Sequence, residues 1–302
     1  MENLVPTDID FRLARDAHLD AAAFCTLSNS LYARKVDERY FRWQFFDCPH
    51  APFLMTGWAG DRMVAAYGVH VVTAASETRA MSLDIMIAED HQGRGLIAPL
   101  ATAALEEARR GGATRLAVVG NARARDAMGR RLGWKIWSVL SDWTGPTNGL
   151  AATPARVVER PAASRFAQGP ESFYPRDDAT LAWRTGRSPR YAYTWLEAGP
   201  SEAPLGWAVV KLFRDPVSGD GFGDIVGLFP ADPSSTAAVI DTARAWFSTQ
   251  GIGSAAFYPL DSAQREIAGR LGFTASSRQR FLCGEGEAPP DLAVGMLDVD
   301  VY

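Results

Sequence analysis

An internal duplication constrains the fold of this chain more than any other feature of its sequence. Trp43 and Pro49 recur as Trp183 and Pro189, and both residues are displaced by 140 positions. Two further matches keep this spacing to within one residue: Asp84-Ile85 with Asp224-Ile225, and Leu132-Gly133-Trp134 with Leu271-Gly272-Phe273. A chain of 302 residues has room for about two domains at roughly 100–200 residues each. The sequence therefore predicts two halves built on one plan.

The same order of strands and helices is predicted in each half. Runs of β-branched and apolar residues bounded by Gly, Pro and Asp predict strands, at 53–58, 63–72 and 81–87 in the first half and at 191–196, 206–213 and 223–229 in the second. Each half continues with a helix (96–110; 235–250), a strand (115–119; 254–258), a second helix (123–132; 262–271) and a terminal hairpin. Strands that alternate with helices in this way predict a mixed α/β sheet in each half.

A segment between the halves differs from both in composition. Residues 146–161 are rich in Ala, Pro, Thr and Gly, which is typical of a linker. We therefore predict an N-terminal domain at 1–145, a linker at 146–161 and a C-terminal domain at 162–302.

Composition narrows the possible partners and the cellular compartment. Apolar residues make up 47% and charged residues 22%, as in a folded globular protein, and a net charge of −4 without a long basic run argues against nucleic acid. Cys25, Cys48 and Cys283 form no zinc motif and fit a reducing compartment. No signal peptide and no apolar stretch of about 18–20 residues is visible. We expect a cytoplasmic protein without a membrane partner or a bound metal.

Only the first half carries a glycine-rich loop between a predicted strand and a predicted helix, at residues 90–97 (DHQGRGLI). Gly93 and Gly95 let the backbone curl without side-chain clashes, so that several N–H groups point into one concavity at the positive end of the helix dipole. This arrangement predicts a phosphate or pyrophosphate site, and an ordinary strand-to-helix turn is the alternative.

The corresponding loop of the second half, residues 230–235 (PADPSS), is chemically different. Pro230 and Pro233 remove two N–H donors, and Asp232 adds a negative charge. We therefore expect only the first half to bind such an anion.

The order of these elements in the first half resembles the GNAT acyltransferase family. A strand leads to Gln-x-x-Gly-x and a helix, and the next strand ends at Asn121 before a second helix and Leu-Gly-Trp. The family signature Gln/Arg-x-x-Gly-x-Gly/Ala matches at Gln92 and Gly95, but Ile97 stands at its last small position. The resemblance covers residues 53–139 clearly and, through the repeat, extends weakly to about 281. It implies an α/β fold of two GNAT-like halves packed as a pseudo-dimer, with a degenerate second half.

The resemblance also implies a co-substrate and the residues that contact it. Acetyl-CoA or another acyl-CoA would bind beside strand 83–87, which splays from its neighbour in the family. The implied contacts are the backbone near Met86 and Ile87 for the pantetheine arm and thioester, the loop residues Gln92, Gly93, Arg94, Gly95, Leu96 and Ile97 for the pyrophosphate, Asn121 for the pantetheine, and Arg123 or Arg125 for the nucleotide phosphates.

The catalytic groups are less well defined by the sequence. Many family members place a tyrosine as general acid where this chain has Gly129. Asp84 and His70 are the candidate bases, because each lies in an apolar strand and has suitable acid–base chemistry. The match of Asp84 with Asp224 leaves a structural role open for both aspartates. His91, as a solvated neighbour of the loop, and Tyr258, as a remote proton donor, are weaker candidates.

These observations predict an acyl-CoA-dependent N-acyltransferase that acts by direct attack of an amine on the thioester, because no cysteine lies near the loop. The acceptor would be a small molecule. A nucleotide-linked amino sugar is the first candidate, and other metabolite amines stay open. The alternative is a catalytically silent module that binds acyl-CoA or a protein partner. The protein would act as a monomer or a homodimer.

Overall fold

The computed structural model describes residues 8–14, 20–74, 77–147, 155–166, 171–214, 220–289 and 292–299. The chain forms two compact units: Met1–Ser138 with Phe281–Ala288, and Val139–Arg280 with Pro289–Tyr302. Residues 148–154 of the predicted linker lie outside the described ranges, and Arg156–Val158, near its end, form a short strand. Within the described residues, no helix is both long and apolar enough to cross a membrane.

The first unit is a mixed sheet covered by helices. Its strands are β1 (Asp10–Ala14), β2 (Ala51–Ala59), β3 (Arg62–Ala74), β4 (Glu77–Ile87) and β5 (Arg115–Gly120). Neighbouring strands from β1 to β4 are antiparallel, whereas β4 and β5 are parallel. Its helices are α1 (Ala21–Leu31), α2 (Glu38–Phe45), α3 (Ile97–Arg110) and α4 (Ala122–Leu132).

The helices of the first unit begin and end where local chemistry predicts. The side chains of Asp20, Asp37 and Asn121 accept backbone N–H groups at the starts of α1, α2 and α4. Gly133 ends α4 in the left-handed conformation, at φ 69°. Helix α3 buries its apolar face in the main core of this unit, through Leu100, Ala101, Ala104, Leu105 and Ala108. Its burial places the start of the helix, and the glycine-rich loop before it, at the end of β4.

The second unit repeats this plan with a sheet in the order β6 (Lys135–Pro146), β12 (Ser254–Phe257), β11 (Gly221–Pro230), β10 (Gly206–Arg214), β9 (Tyr193–Ala198) and β7 (Arg156–Val158). Strands β8 (Glu171–Ser172) and β14 (Leu292–Ala293) form a separate parallel pair. The helices are α5 (Asp178–Leu181), α6 (Thr236–Thr249), α7 (Ser262–Arg270) and α8 (Met296–Val299). Trp183 is fully buried here, as Trp43 is nearly so in the first unit.

The predicted terminal hairpins are wrong, because each half ends in one long strand. Strand β6 continues without a turn, and its end pairs with β12 from Trp143↔Phe257 to Pro146↔Ser254. The end of strand β13 (Thr274–Gly284) pairs with β5 of the first unit. Each sheet is therefore completed by a strand from the other repeat. Glycines permit this close approach, since a Cβ at Gly284 would overlap the ring of Trp137.

Candidate active site

A gap opens between β4 and β5 of the first unit. Their parallel pairing runs from Arg79↔Arg115 to Ser82↔Val118, although β4 continues to Ile87 and β5 to Gly120. The end of β5 pairs instead with β13 on its other side. The strands therefore splay beyond Ser82, as the family resemblance implied, and the backbone of residues 83–87 borders the gap.

Asp84 occupies a β-bulge at the start of this gap. The register with β3 passes from Gly68↔Leu83 to Ala66↔Met86, so that one residue of β3 faces two of β4. Asp84 has φ 46° and is the only non-glycine residue with positive φ in the described part of the chain. Aspartate tolerates this conformation better than most residues, yet single residues held in it cluster at functional sites.

Two tyrosines that sequence analysis did not identify lie close to Asp84. The Tyr40 hydroxyl is 3.2 Å from Oδ2 and 3.3 Å from Oδ1 of its carboxylate. Burial raises the pKa of the Tyr32 phenol, the Asp84 charge raises it further, and the Arg123 charge opposes both. Tyr32 is thus a protonated hydroxyl within electrostatic reach of both charges. The sequence offered one signal for Tyr40. Asp37 is a good N-cap residue, and the helix that follows it is rich in aromatic residues.

The loop before α3 has the geometry of an anion site. Gly93 and Gly95 both have φ 79°, and a Cβ at either position would meet no atom within 4 Å. Among the described residues, no acceptor takes the backbone N–H of Gly93, Gly95 or Leu96. The start of α3 also has no side-chain cap. Free N–H groups at the positive end of a 14-residue helix, beside open space, suit a pyrophosphate.

Gln92 connects the two sides of the gap. Its Nε2 donates to the Ile87 carbonyl at 3.0 Å, and its Oε1 accepts from the Arg123 guanidinium at 2.9 Å. This signature residue therefore ties the end of β4 to the start of α4. Arg123 is placed beside the loop, whereas Arg125 is paired with Asp126 and lies over the ring of Phe281.

The base of the loop is held by a chain of polar contacts. The Arg62 guanidinium donates to both Asp90 oxygens, at 2.7 and 3.0 Å, and His91 Nδ1 lies 2.9 Å from the same carboxylate. The hydrogen bond from Arg62, and after it that from His91, keeps the pKa of Asp90 well below its usual range. The expectation of a solvated His91 is wrong: the ring is buried beneath the loop and serves as part of this support. Arg94 is half-exposed, with its guanidinium 4.0 Å from Asp8.

Several predicted site residues have side chains that serve the fold. Met86 and Leu96 are buried in the core, so only their backbone is available to a ligand. Ile97 packs against the main core, which explains a large residue at the small position of the signature. Asn121 accepts the Ala124 N–H at 3.0 Å through Oδ1 and thereby caps α4.

His70 lies in the interior rather than at the gap. Its side chain is fully buried, with Nε2 3.0 Å from the Gln44 carbonyl and Nδ1 3.8 Å from the Cys48 sulfur. An acceptor amine cannot reach it without displacing these contacts. A Cβ at Gly129 would meet the Trp134 carbonyl oxygen at 3.7 Å, which is an ordinary van der Waals distance, so no close approach of another group requires glycine there.

Asp224 matches Asp84 in the repeat but differs in structure. It lies in regular register opposite Lys211, and its Oδ2 is 3.4 Å from the Lys211 ammonium. The bulge of the second unit falls further along, between Val209 and Val210 on β10. The ion pair with a buried lysine gives Asp224 a structural role that does not carry over to Asp84.

The loop of the second unit is occupied by its own carboxylate. Asp232 Oδ1 accepts the N–H groups of Ser234 and Ser235, at 2.8 and 3.2 Å, and Oδ2 accepts the Ser235 hydroxyl at 2.8 Å. These contacts lower the pKa of Asp232, with those from the serine side chains first. The side chain thus takes the position that an anionic ligand would need.

The gap of the second unit is filled by the C-terminal segment. Strands β11 and β12 pair only at Gly223↔Ala255 and Asp224↔Ala256, and Met296 and Leu297 of α8 pack against β11 beyond that point. A cavity of about 50 Å³ remains there, and Tyr258 lines it. Burial, followed by the Asp142 carboxylate, raises the pKa of this tyrosine far above its usual range. Across the described ranges, no group of His, Cys, Asp and Glu is arranged to hold a metal.

Comparisons with known proteins agree with this geometry. Residues 21–134 match the model of the Acetyltransferase (GNAT) family, whereas no curated protein sequence matches the chain. A crystal structure of a GCN5-related N-acetyltransferase from Anabaena variabilis is 13% identical, with a TM-score of 0.62 over 91% of this chain and 72% of that one.

Two further structures share the fold. A tandem GNAT protein from the clavulanic acid biosynthesis pathway is 13% identical, with a TM-score of 0.61 over 93% of this chain and 99% of that one. A GCN5-related glucosamine N-acetyltransferase region of a fungal multi-domain GH3 beta-N-acetylglucosaminidase is 12% identical, with a TM-score of 0.57 over 93% and 38%. Residues 21–134 therefore match the GNAT acetyltransferase family, and the chain shares the two-half fold of a tandem GNAT protein.

Proposed function

We propose that the first unit transfers an acyl group from an acyl-CoA to the amine of a small molecule. At the level of the family, the match of residues 21–134 supports N-acetyl transfer with acetyl-CoA as co-substrate and does not favour a catalytically silent module. The observation that carries the proposal for this chain is one continuous arrangement. The Asp84 carboxylate begins the gap between β4 and β5, and the free N–H groups of Gly93 and Gly95 lie at its end.

The proposed coenzyme site uses mainly backbone groups. The pyrophosphate would rest on the N–H groups of residues 93–97, with Arg94 and Arg123 supplying positive charge. The pantetheine arm would extend along the backbone of Met86 and Ile87, and Asn121 would contact it through the Nδ2 that its cap leaves available. This placement is supported by open space at both glycines and by the splay of the strands.

The proposed chemistry is a direct displacement. Asp84 accepts a proton from the bound ammonium, and the neutral amine then attacks the thioester carbonyl carbon. A C–N bond forms, the C–S bond breaks, and the leaving thiolate takes up the proton that the attacking nitrogen loses. A thiol with a pKa of about 8.5 leaves readily, so the absence of the family tyrosine at Gly129 is tolerable. Backbone N–H groups of β4 along the gap can stabilise the developing oxyanion.

We propose a metabolite amine as the acceptor and test nucleotide-linked amino sugars first. The fungal region named for glucosamine acetylation shares the fold, which supports the choice of amino sugars for the screen but not their assignment. Cys25, Cys48 and Cys283 are buried thiols outside any disulfide, which supports a reducing cytoplasm as the place of action. Amino sugars, aminoglycosides and peptides would be compared by turnover, and acetylation confined to peptides would contradict a small-molecule acceptor.

Calorimetric titration with acetyl-CoA tests the coenzyme site. We expect one binding event per chain in the wild type and none in a Gly93→Asp/Gly95→Asp variant, because two carboxylates would face the pyrophosphate. A Gly60→Asp/Gly112→Asp variant is the matched control, since both glycines have positive φ and open space but lie away from the helix start. The proposal fails if the wild type binds neither acetyl-CoA, longer acyl-CoAs nor free CoA.

A further inference from the structure

We propose that Tyr40 is a positioning residue that holds the Asp84 carboxylate ready to accept the proton of the acceptor amine. The inference rests on the proposed function, in which Asp84 is the base. Two distances carry it, because the Tyr40 hydroxyl lies within 3.3 Å of both carboxylate oxygens. The two residues are 44 positions apart, on α2 and β4, so the contact is created by the fold.

Tyr40 is itself fixed from several sides. Its backbone N–H donates to the side chain of Asp37 at 3.0 Å, which locks the first turn of α2. Its ring lies 5.9 Å from that of Trp43, and the residue is 3% exposed. The cap fixes the backbone of Tyr40, and the buried ring cannot swing away from Asp84 without leaving the core.

The bulge places this contact at the start of the gap. Asp84 has a positive φ, and the pairing of β4 with β5 ends at Ser82, two residues before it. A single O–H shared between two carboxylate oxygens fixes the plane of the carboxylate. An ionised carboxylate has more acceptor positions than one O–H can occupy.

The hydrogen bond also has an electrostatic consequence. A hydroxyl that donates to a carboxylate favours the ionised form, which is the form that accepts a proton. The titratable or charged groups near Asp84 in the described part of the chain include Tyr32 after α1, Arg123 of α4, which acts on Tyr32, and Tyr67 of β3, opposite the bulge. The Tyr67 hydroxyl donates instead to Ser82 at 2.8 Å.

The test is the pH dependence of kcat/KM in a Tyr40→Phe variant, which keeps the ring and removes only the hydroxyl. We expect the acidic limb to move to higher pH by roughly one unit, because a hydrogen bond to a charged group is lost. At the pH optimum, kcat should fall roughly three- to tenfold while KM for acetyl-CoA is unchanged. An unchanged limb together with unchanged kcat would overturn the inference.

Tyr67→Phe is the matched control, since Tyr67 is also fully buried in the first unit but bonds to Ser82. This variant should leave the pH profile in place. The Asp84→Asn variant tests the base separately from the positioning role of Tyr40. If this variant keeps full turnover, the proposed base is wrong. If it is inactive while Tyr40→Phe matches the wild type, only the positioning role is wrong.

A direct titration provides a readout that needs no acceptor. Carbon-13 labelling of aspartate carboxylates, with the Asp84 signal assigned by its loss in Asp84→Asn, gives the midpoint of its protonation in the wild type and in Tyr40→Phe. We expect the midpoint to rise in the variant. A midpoint that stays fixed or falls would contradict the proposal, whatever the activity measurements show.

Discussion

The carboxylate of Asp84 is carried on a backbone conformation that costs roughly 1–2 kcal/mol for an ordinary L-residue. The strained conformation has a local effect: the Asp84 side chain, on the bulge, contacts the Tyr40 hydroxyl at the start of the gap. The cost is compatible with folding because asparagine and aspartate adopt this region more readily than other residues. The same property makes a conservative test possible.

Asp84→Asn should keep stability and lose activity. Asparagine tolerates positive φ and can still accept the Tyr40 hydroxyl, so we expect the melting temperature to stay within a few degrees. It cannot take a proton from the amine, and turnover should fall roughly 10²–10⁴-fold. Thermal unfolding and steady-state turnover measure the two effects. A fall of less than tenfold in a well-folded variant would contradict the proposed base.

The matched variant in the second unit, Asp224→Asn, should behave in the opposite way. It removes a carboxylate from Lys211, which is 5% exposed, so the free energy of unfolding should fall by roughly 1–3 kcal/mol. Turnover of the protein that remains folded should be unchanged. Denaturant titration of both variants side by side tests this contrast between two aspartates that the sequence alone treats as equivalent.

At the scale of elements, the loop and the start of α4 decide which arginine lies beside the proposed coenzyme site. The tie through Gln92 holds Arg123 beside the loop, whereas Asp126 and the ring of Phe281 hold Arg125. The sequence leaves the choice between these arginines open. Both lie in the first turn of α4, and the sequence does not show which side chain faces the gap.

Arg123→Gln should weaken acetyl-CoA binding by roughly tenfold or more, because a charge-assisted contact to phosphate is lost. Arg125→Gln should change the affinity less than threefold. Titration at two ionic strengths adds a second readout, since screening should shrink the difference between Arg123→Gln and the wild type. Equal losses of acetyl-CoA affinity in the two variants would contradict the separate roles assigned to Arg123 and Arg125.

Two glycines in neighbouring elements should respond oppositely to alanine. Gly284→Ala should destabilise the first unit by roughly 1–3 kcal/mol, since the added Cβ would overlap the Trp137 ring. Gly129→Ala should stabilise it by about 0.5–1 kcal/mol, because Gly129 lies inside α4 and an added Cβ would make only an ordinary contact with the Trp134 carbonyl. Urea unfolding measures both changes, and a destabilised Gly129→Ala would contradict the assigned geometry.

At the scale of the whole molecule, the two units have kept one plan and lost its symmetry. The first has free N–H groups at its loop and an open gap, whereas the second has the Asp232 carboxylate at its loop and α8 in its gap. Asp298 anchors that segment, since its buried carboxylate accepts from the backbone of Tyr174 and Gly295 and from the side chain of Arg176.

Asp298→Asn should therefore destabilise the second unit without removing the coenzyme site. Arg176 would lose a buried anionic partner, and roughly 3–5 kcal/mol of unfolding free energy should be lost. Below the melting temperature of the variant, acetyl-CoA should still bind once per chain. Calorimetry after a melting curve tests this, and a second binding event in the variant would mean that the second gap is a latent site.

The sequence by itself determined the two-half plan, the α/β class, most strand and helix positions and the glycine-rich loop at 90–97. These features depend on periodicity, turn chemistry and backbone freedom, which are local properties. Only the tertiary structure decided that β6 and β13 complete the opposite sheets, that His70 is interior, and that Tyr40 meets Asp84. Such contacts join residues tens to hundreds of positions apart, and packing selects them only after the local elements exist.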